Sequence, residues 1–214
     1  MKNRIEFLAK FIYESELLSN HCPNYQIIKE GLERNNNNGH IGTILYLEKR
    51  AKEKENPLSE FDIKKAHELI FKGSSDWQNK FLPEEAVGNY RKNDFIIGEL
   101  NYELIGIPAH LIPQQMKNLI RTINKYQFEF FCYNKKIPLE IISDFHYHFL
   151  IISPFHIGNG RLNRTLFFYL MKYFEKEPFL IQNKDKEQYF SAFITKSPEA
   201  LYEYFLKKQN ENKN

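Results

Sequence analysis

Apolar residues recur every three or four positions along most of this chain. Such a stripe lets one face of a helix pack against a core while the other face meets water. The pattern therefore predicts a mainly helical protein. The predicted helices cover residues 3–18, 25–34, 40–55, 59–71 (with Ser59 as N-cap), 114–130, a segment after Pro138, 161–174 and two C-terminal segments.

One segment departs from the helical pattern. Residues Tyr102 to Ile107 are rich in strand-forming types and lie between Gly98 and Pro108, residues that commonly bound a strand. We expect a small hairpin there. From about residue 207 the chain is polar, and we expect this end to fray.

Composition narrows the class of protein. The length of 214 residues suits one domain with a small helical extension. With 30 basic and 27 acidic residues, the charge balance is too even to predict nucleic-acid binding. Neither a bilayer-spanning run nor a signal-peptide core is present, and Cys22 and Cys132 have no metal-ligand spacing. We expect a cytoplasmic protein with no membrane or nucleic-acid partner and no metal, and the Asn- and Lys-rich composition fits an AT-rich bacterial genome.

The segment around residue 160 carries the candidate chemistry. Gly158 and Gly160 permit tight turns directly before a strongly apolar helix. The free amides and the dipole of a helix N-terminus favour anions, and Arg161 and Arg164 are spaced to lean over the same end. The pattern predicts a phosphate cradle supported by guanidinium groups. The alternative is an ordinary Asn-Gly turn whose arginines form surface salt bridges.

The same segment resembles the signature of the Fic (Fido) family, HPFx(D/E)GNGRxxR. Seven positions between 154 and 164 match it in register, and His146 and Phe149 match the HxxF lead-in. Gly88 to Arg91 matches the family's GxYR, and His67 and Tyr189 also match in order. The resemblance covers roughly residues 59–205. The matching signature residues are Pro154, Phe155, Gly158, Asn159, Gly160, Arg161 and Arg164.

The resemblance implies an all-α Fic/Fido helical bundle with a β-hairpin flap. The Fic domain would span 59–206, after an N-terminal helical extension at 1–58 and before a tail at 207–214. Family members usually transfer AMP from ATP to a hydroxyl of a target protein. By resemblance, Gly158, Asn159 and Gly160 would hold phosphates, Arg161 would neutralise them and Arg164 would support the same end. The pocket would be lined by His146, Phe155 and His156, and the target would align along flap residues Tyr102, Glu103, Leu104, Ile105, Gly106 and Ile107.

Two positions depart from the signature in ways that affect catalysis. Ser153 stands where the family has its catalytic histidine, and a serine hydroxyl titrates too high to be the base unaided. Ile157 stands where a carboxylate would hold Mg²⁺ and offers no oxygen. We therefore do not expect Mg²⁺ at the usual site. His156 lies nearby, but a base displaced by several ångströms is a poor substitute because proton transfer needs hydrogen-bond reach.

A third departure lies in the first predicted helix. Many family members carry an inhibitory motif, (S/T)xxxE(G/N), whose glutamate pairs with a motif arginine. Ser15 and Asn20 match this motif, but Ser19 occupies the glutamate position. The alternative is that this segment is simply an amphipathic packing helix.

These observations leave three functions open. The first, which we favour, is a pseudoenzyme that keeps a site for ATP, another nucleotide or phosphate and binds a protein through the flap. The second is an active transferase of altered chemistry, using another nucleotide, a phosphocholine-like diester or a base from elsewhere. The third is a regulatory protein-interaction module with no small-molecule ligand.

Overall fold

The computed structural model describes residues 2–72, 86–94, 96–99, 102–105 and 107–211. Within these ranges the chain is predominantly helical, as predicted, and it also contains two short strands. The helices are α1 (Lys2–Leu18), α2 (Tyr25–Glu33), α3 (Gly39–Arg50), α4 (Glu60–Phe71), α5 (Ile112–Tyr133), α6 (Leu139–Ile152), α7 (Asn159–Tyr173), α8 (Lys186–Ile194) and α9 (Pro198–Glu211), and the strands are β1 (Ile96–Glu99) and β2 (Tyr102–Ile105).

The start of α4 follows from its local sequence. The Ser59 hydroxyl accepts a hydrogen bond from the Asp62 amide at 3.1 Å, and the Asp62 carboxylate accepts one from the Ser59 amide at 3.0 Å. This capping box satisfies amides that the first helical turn leaves without partners. The predicted N-cap at Ser59 is confirmed.

Two predicted helix ends are wrong. The third helix stops at Arg50 rather than near residue 55. The chain leaves the helix there because Lys54 is directed toward α7, where its ammonium group donates to the Lys172 carbonyl at 3.2 Å. The C-terminal helix continues to Glu211 instead of fraying from residue 207. Lys208 is buried there and pairs with Asp185 at 2.6 Å, which holds the last turns against the core.

Helix α7 forms the centre of the core. Its residues from Leu166 to Met171 are almost completely buried, as expected of a helix that is apolar on all sides. Helices α3 and α6 pack against it, and α1 reaches it through Phe11, whose ring centroid lies 5.5 Å from that of Phe168. The predicted N-terminal extension thus contributes to the same core as the rest of the chain.

The two strands form an antiparallel hairpin in which Ile97 lies opposite Leu104 and Gly98 opposite Glu103. Ile107 continues the chain beyond β2, whereas the predicted flap residue Gly106 lies outside the described residues. In the described part of the chain, no helix combines the length and the apolar character needed to cross a membrane.

Candidate functional site

The loop between α6 and α7 is clamped by Asn159. Its Oδ1 accepts a hydrogen bond from the Phe155 amide at 2.9 Å, and its Nδ2 donates to the Phe155 carbonyl at 2.7 Å. Ser153 ends α6 with a left-handed φ of 41°, and Gly158 precedes α7 with a φ of 80°. The side chain of Asn159 therefore fixes the loop, and the anion-binding groups left at this end are the backbone amides of α7.

Ser153, at the motif-histidine position, is buried and directed inward. Its hydroxyl donates to the Leu150 carbonyl at 2.6 Å. A hydroxyl whose proton is already held by its own helix is poorly placed to take a proton from a substrate.

Arg91 is a positioning residue that we did not predict as part of the site. Its Nε donates to the Ser153 carbonyl at 2.9 Å, its Nη2 donates to the Ile107 carbonyl, and its backbone amide donates to the Pro154 carbonyl at 2.9 Å. Arg91 thereby ties the motif loop to the segment that follows the hairpin. The available signal was the GxYR match, in which Arg91 is the final residue.

His67 and Phe71 pack over the loop from α4. Gly88 donates its amide to His67 Nδ1 at 2.9 Å, which assigns the proton to Nε2, and Nε2 donates to the Ile157 carbonyl at 2.9 Å. The His67 ring stacks on Phe155 with centroids 3.9 Å apart. Burial, with a smaller contribution from the charge of Arg161, lowers the pKa of His67 to about 4, so the ring is neutral at pH 7.

Phe71 covers the glycine that precedes α7. A Cβ built on Gly158 would lie 2.9 Å from the Phe71 ring, so the ring fills the space beside the proposed phosphate cradle. Ile157 is partly buried against the same core. The loop is thus backed by apolar side chains where the family signature has an acid.

Arg164 is buried and directs its hydrogen bonds to α1. Its Nε donates to the Ser15 hydroxyl at 2.8 Å, and its Nη2 donates to the Ser15 carbonyl at 2.7 Å and to the Ser19 hydroxyl at 2.6 Å. Burial lowers the pKa of Arg164, and the neighbouring Tyr189 and Glu16 offset this effect. The guanidinium group faces the N-terminal helix rather than solvent.

Arg161 also faces α1. Its Nη1 lies 3.6 Å from Glu16 Oε2, and its guanidinium carbon lies 5.3 Å from the centre of the Phe71 ring. Only 4% of the residue is exposed. Its contacts with α1 and Phe71 leave the group almost no surface to offer a ligand.

Glu16 joins three side chains into one polar cluster. Besides Arg161, it contacts His21 and lies 2.7 Å from His40 Nδ1. Burial alone would raise the pKa of Glu16, but the hydrogen bonds from His21 and His40 and the charge of Arg161 hold it well below its usual range. The ion pair with Arg161 therefore persists across neutral pH.

The predicted pocket-lining residues differ widely in burial. His146 is fully buried, with Nε2 2.7 Å from the Tyr189 hydroxyl and its ring packed against Phe167 and Phe205, so our placement of it at a pocket is corrected. Phe155 is also fully buried, whereas His156 is exposed. A neutral His146 is compatible with this aromatic core, because desolvation favours the uncharged ring and lowers its pKa.

The ligands that the signature implies fit this arrangement poorly. Among the residues that the structure describes, no three His, Cys, Asp or Glu side chains converge as a metal site, and position 157 supplies no oxygen. A polyphosphate would meet the amides of α7, but the guanidinium groups of Arg161 and Arg164 reach it only if α1 moves.

Comparison with known proteins shows which family and which folds the chain resembles. Residues 57–171 match the model of the Fic/DOC family. No curated protein sequence matched the chain. The fold resembles that of a Fic-domain-containing signalling protein from Bacteroides thetaiotaomicron, with a TM-score of 0.76, 20% identity and coverage of 96% of this chain and 84% of that one.

Two further structures are similar. A Fic family protein from Desulfovibrio desulfuricans gives a TM-score of 0.65 at 18% identity, covering 95% of this chain and 62% of that one. Fic-1 from C. elegans gives 0.71 at 16% identity, covering 97% and 61%. This chain spans about three fifths of either protein, and at these identities the likeness establishes a shared fold.

Proposed function

Because the chain belongs to the Fic/DOC family, whose members commonly transfer AMP, we propose that it is a catalytically silent Fic protein whose α1 holds the arginine end of the site. The observation that carries the proposal is the double occupation of Arg161 and Arg164 by one helix. Glu16 takes the first guanidinium group, and Ser15 and Ser19 take the second.

The chemistry of the loop supports the absence of transfer. A general base at position 153 would contribute roughly 10² to 10⁴ in rate. The Ser153 hydroxyl is a weak base whose hydrogen bond goes to the Leu150 carbonyl of its own helix. Ile157 removes the carboxylate that would place Mg²⁺ beside the phosphates. Proton acceptance and charge neutralisation are both missing from the same loop.

Access of a nucleotide is the second part of the proposal. The amides at the start of α7 favour a phosphate, but charge neutralisation needs the two arginines. Since both are buried against α1, a nucleotide gains them only in a state in which α1 has left. We therefore propose weak or no nucleotide binding by the chain as folded here.

The partner of such a protein is proposed to be an extended protein segment. In the described residues β1 and β2 pair only with each other, so each strand has a second edge able to receive another strand. Arg91 links the motif loop to the Ile107 carbonyl, just beyond β2. A segment bound along the hairpin would therefore lie close to the motif loop.

A transfer assay tests the silent-enzyme proposal. The purified chain is incubated with ATP labelled at the α-phosphate, with Mg²⁺ or Mn²⁺ and a cell extract as target source, and protein-bound label is measured. We expect no label above that of the Arg161→Ala variant. Label that is incorporated by the wild type and lost in Arg161→Ala would overturn the proposal.

A further inference from the structure

A second candidate site lies at the far end of α6 from the motif loop. A cavity of about 280 Å³ opens between the first turns of α6 and α9. Ser143, which lines this cavity, precedes Ser153 by ten residues, which is roughly 15 Å along a helix. We call this cavity the acidic groove and define it by Glu140, Ser143, Asp144, Glu199 and Tyr202.

Ser143 is the feature of the groove that packing does not explain. The residue is 1% exposed, and its hydroxyl has no hydrogen-bond partner among the described residues. A buried hydroxyl without a partner destabilises the folded state, because it loses its hydrogen bonds to water without replacement. A ligand in the groove would give this group its missing partner.

The charge of the groove has one sign. Glu140, Asp144 and Glu199 contribute carboxylates, and the lining includes no lysine or arginine. Glu140 and Glu199 also suit the first turns of α6 and α9, where acidic residues offset the helix dipoles. That role accounts for Glu140 and Glu199, and Asp144, one turn further along α6, lies 3.2 Å from His148 Nδ1. None of these contacts accounts for the unpartnered Ser143.

The separation of these carboxylates determines which kind of cation the groove can bind. Among the described residues they do not converge as a metal site, so a small divalent ion would not be chelated. A planar guanidinium group distributes its charge over five N–H donors and can meet separated carboxylates and a hydroxyl together. The Tyr202 ring suits such a cation, and Ile141 and Pro198 offer apolar surface to an alkyl stem.

We propose that the acidic groove binds an alkylguanidinium group. The volume is close to the lower end of known ligand pockets, about 300 Å³, which suits one side-chain-sized group rather than a nucleotide. The two possible sources share this chemistry: a free small molecule, or an arginine side chain of a partner protein. The site is independent of the function proposed above.

Calorimetric titration of the full chain at physiological salt tests the site, with agmatine as the small-molecule probe and acetyl-Gly-Arg-Gly-amide as the side-chain probe. We expect saturable binding, weakened about tenfold by Glu199→Gln and by Asp144→Asn, the loss of one charge-assisted hydrogen bond. Glu203→Gln, an exposed change on α9 outside the groove, should leave the affinity unchanged. Tighter binding of one probe over the other assigns the source.

Ser143→Ala separates a ligand site from a packing defect. The variant removes the unpartnered hydroxyl, so its resistance to urea should equal or exceed that of the wild type, while its affinity for the bound probe falls. Absence of saturable binding of either probe would overturn the proposal. Binding that Glu199→Gln, Asp144→Asn and Ser143→Ala all leave unchanged would also overturn it.

Discussion

The Ser19 hydroxyl accepts a hydrogen bond from Arg164 Nη2 at 2.6 Å. In the inhibitory motif that this helix resembles, the Ser19 position holds a glutamate that pairs with a motif arginine. Here the contact is kept without the charge, and a carboxylate three residues earlier, Glu16, pairs with Arg161 instead. Helix α1 therefore still holds the motif, but through different residues.

The anchoring of α1 by Arg164 predicts the effect of removing one acceptor. Ser15→Ala deletes the hydroxyl that accepts from Arg164 Nε, and a hydrogen bond to a charged group contributes about 1.5–3 kcal/mol. We expect urea denaturation to show a loss of that size. Ser191→Ala, whose hydroxyl donates only to its own helix at Gln188, should change stability by less than about 0.5 kcal/mol. Equal effects of the two changes would contradict the anchor.

The closure of the loop by Phe71 predicts an unequal response of two glycines. Gly158→Ala and Gly39→Ala both place a Cβ at positive φ, which costs about 1–2 kcal/mol. The Cβ at Gly39 meets nothing within 4 Å, whereas the one at Gly158 lies 2.9 Å from Phe71. We expect the Gly158 variant to lose a further ~1–3 kcal/mol from overpacking, measured as the difference between the two unfolding free energies. Equal losses would mean that Phe71 yields freely.

The hydrogen bonds of His67 with Gly88 and Ile157 predict a pH dependence of stability. Its pKa is about 4 in the folded state and about 6.5 unfolded, so the unfolded chain binds more protons between these values. This contribution is fully present above pH 6.5 and is lost as the pH falls toward 4, at up to about 1.4 kcal/mol per pH unit. Protonation would remove the acceptor for Gly88 and place a charge near Arg161.

Comparison of the wild type with His67→Gln separates the effect of His67 titration on stability from that of the other buried histidines. Urea midpoints measured at pH 7 and pH 5 should fall less in the variant than in the wild type. A drop of the same size in both proteins would show that His67 does not titrate as we describe.

Restoring the motif residues predicts a larger gain of activity when α1 is also loosened. Restoring the base and the acid with Ser153→His and Ile157→Asp supplies proton acceptance and a metal ligand, but Arg161 remains paired with Glu16. The structure leads us to expect stronger labelling when Glu16→Gln is added. Labelled-ATP transfer should rise from the double to the triple variant, and equal rates in the two would exclude Glu16 as a restraint.

The helices and the family were accessible from the sequence. Apolar periodicity predicted the elements, and the Ser59 cap rests on a local contact between residues three apart. The family followed from one continuous motif, in which residue types and spacing alone carry the information. Each of these inferences depends on neighbours within about a dozen positions.

The directions of the two arginines were not accessible in this way. Arg164 meets Ser15 across 149 positions of sequence, and the motif does not encode which helix will cover it. The role of Glu16 was missed because the comparison with the inhibitory motif considered only position 19. His146 was placed at the pocket because its motif match says nothing about burial, whereas its contacts with Tyr189 and Phe205 depend on the packing of α8 and α9.

Calorimetric titration of the full chain with ATP, with and without Mg²⁺, tests most directly whether α1 holds the arginine end of the site. We predict no measurable binding by the wild type and a gain of binding by the Glu16→Gln variant. Saturable binding of ATP by the wild type that Arg161→Ala weakens, and that Glu16→Gln leaves unchanged, would contradict this account.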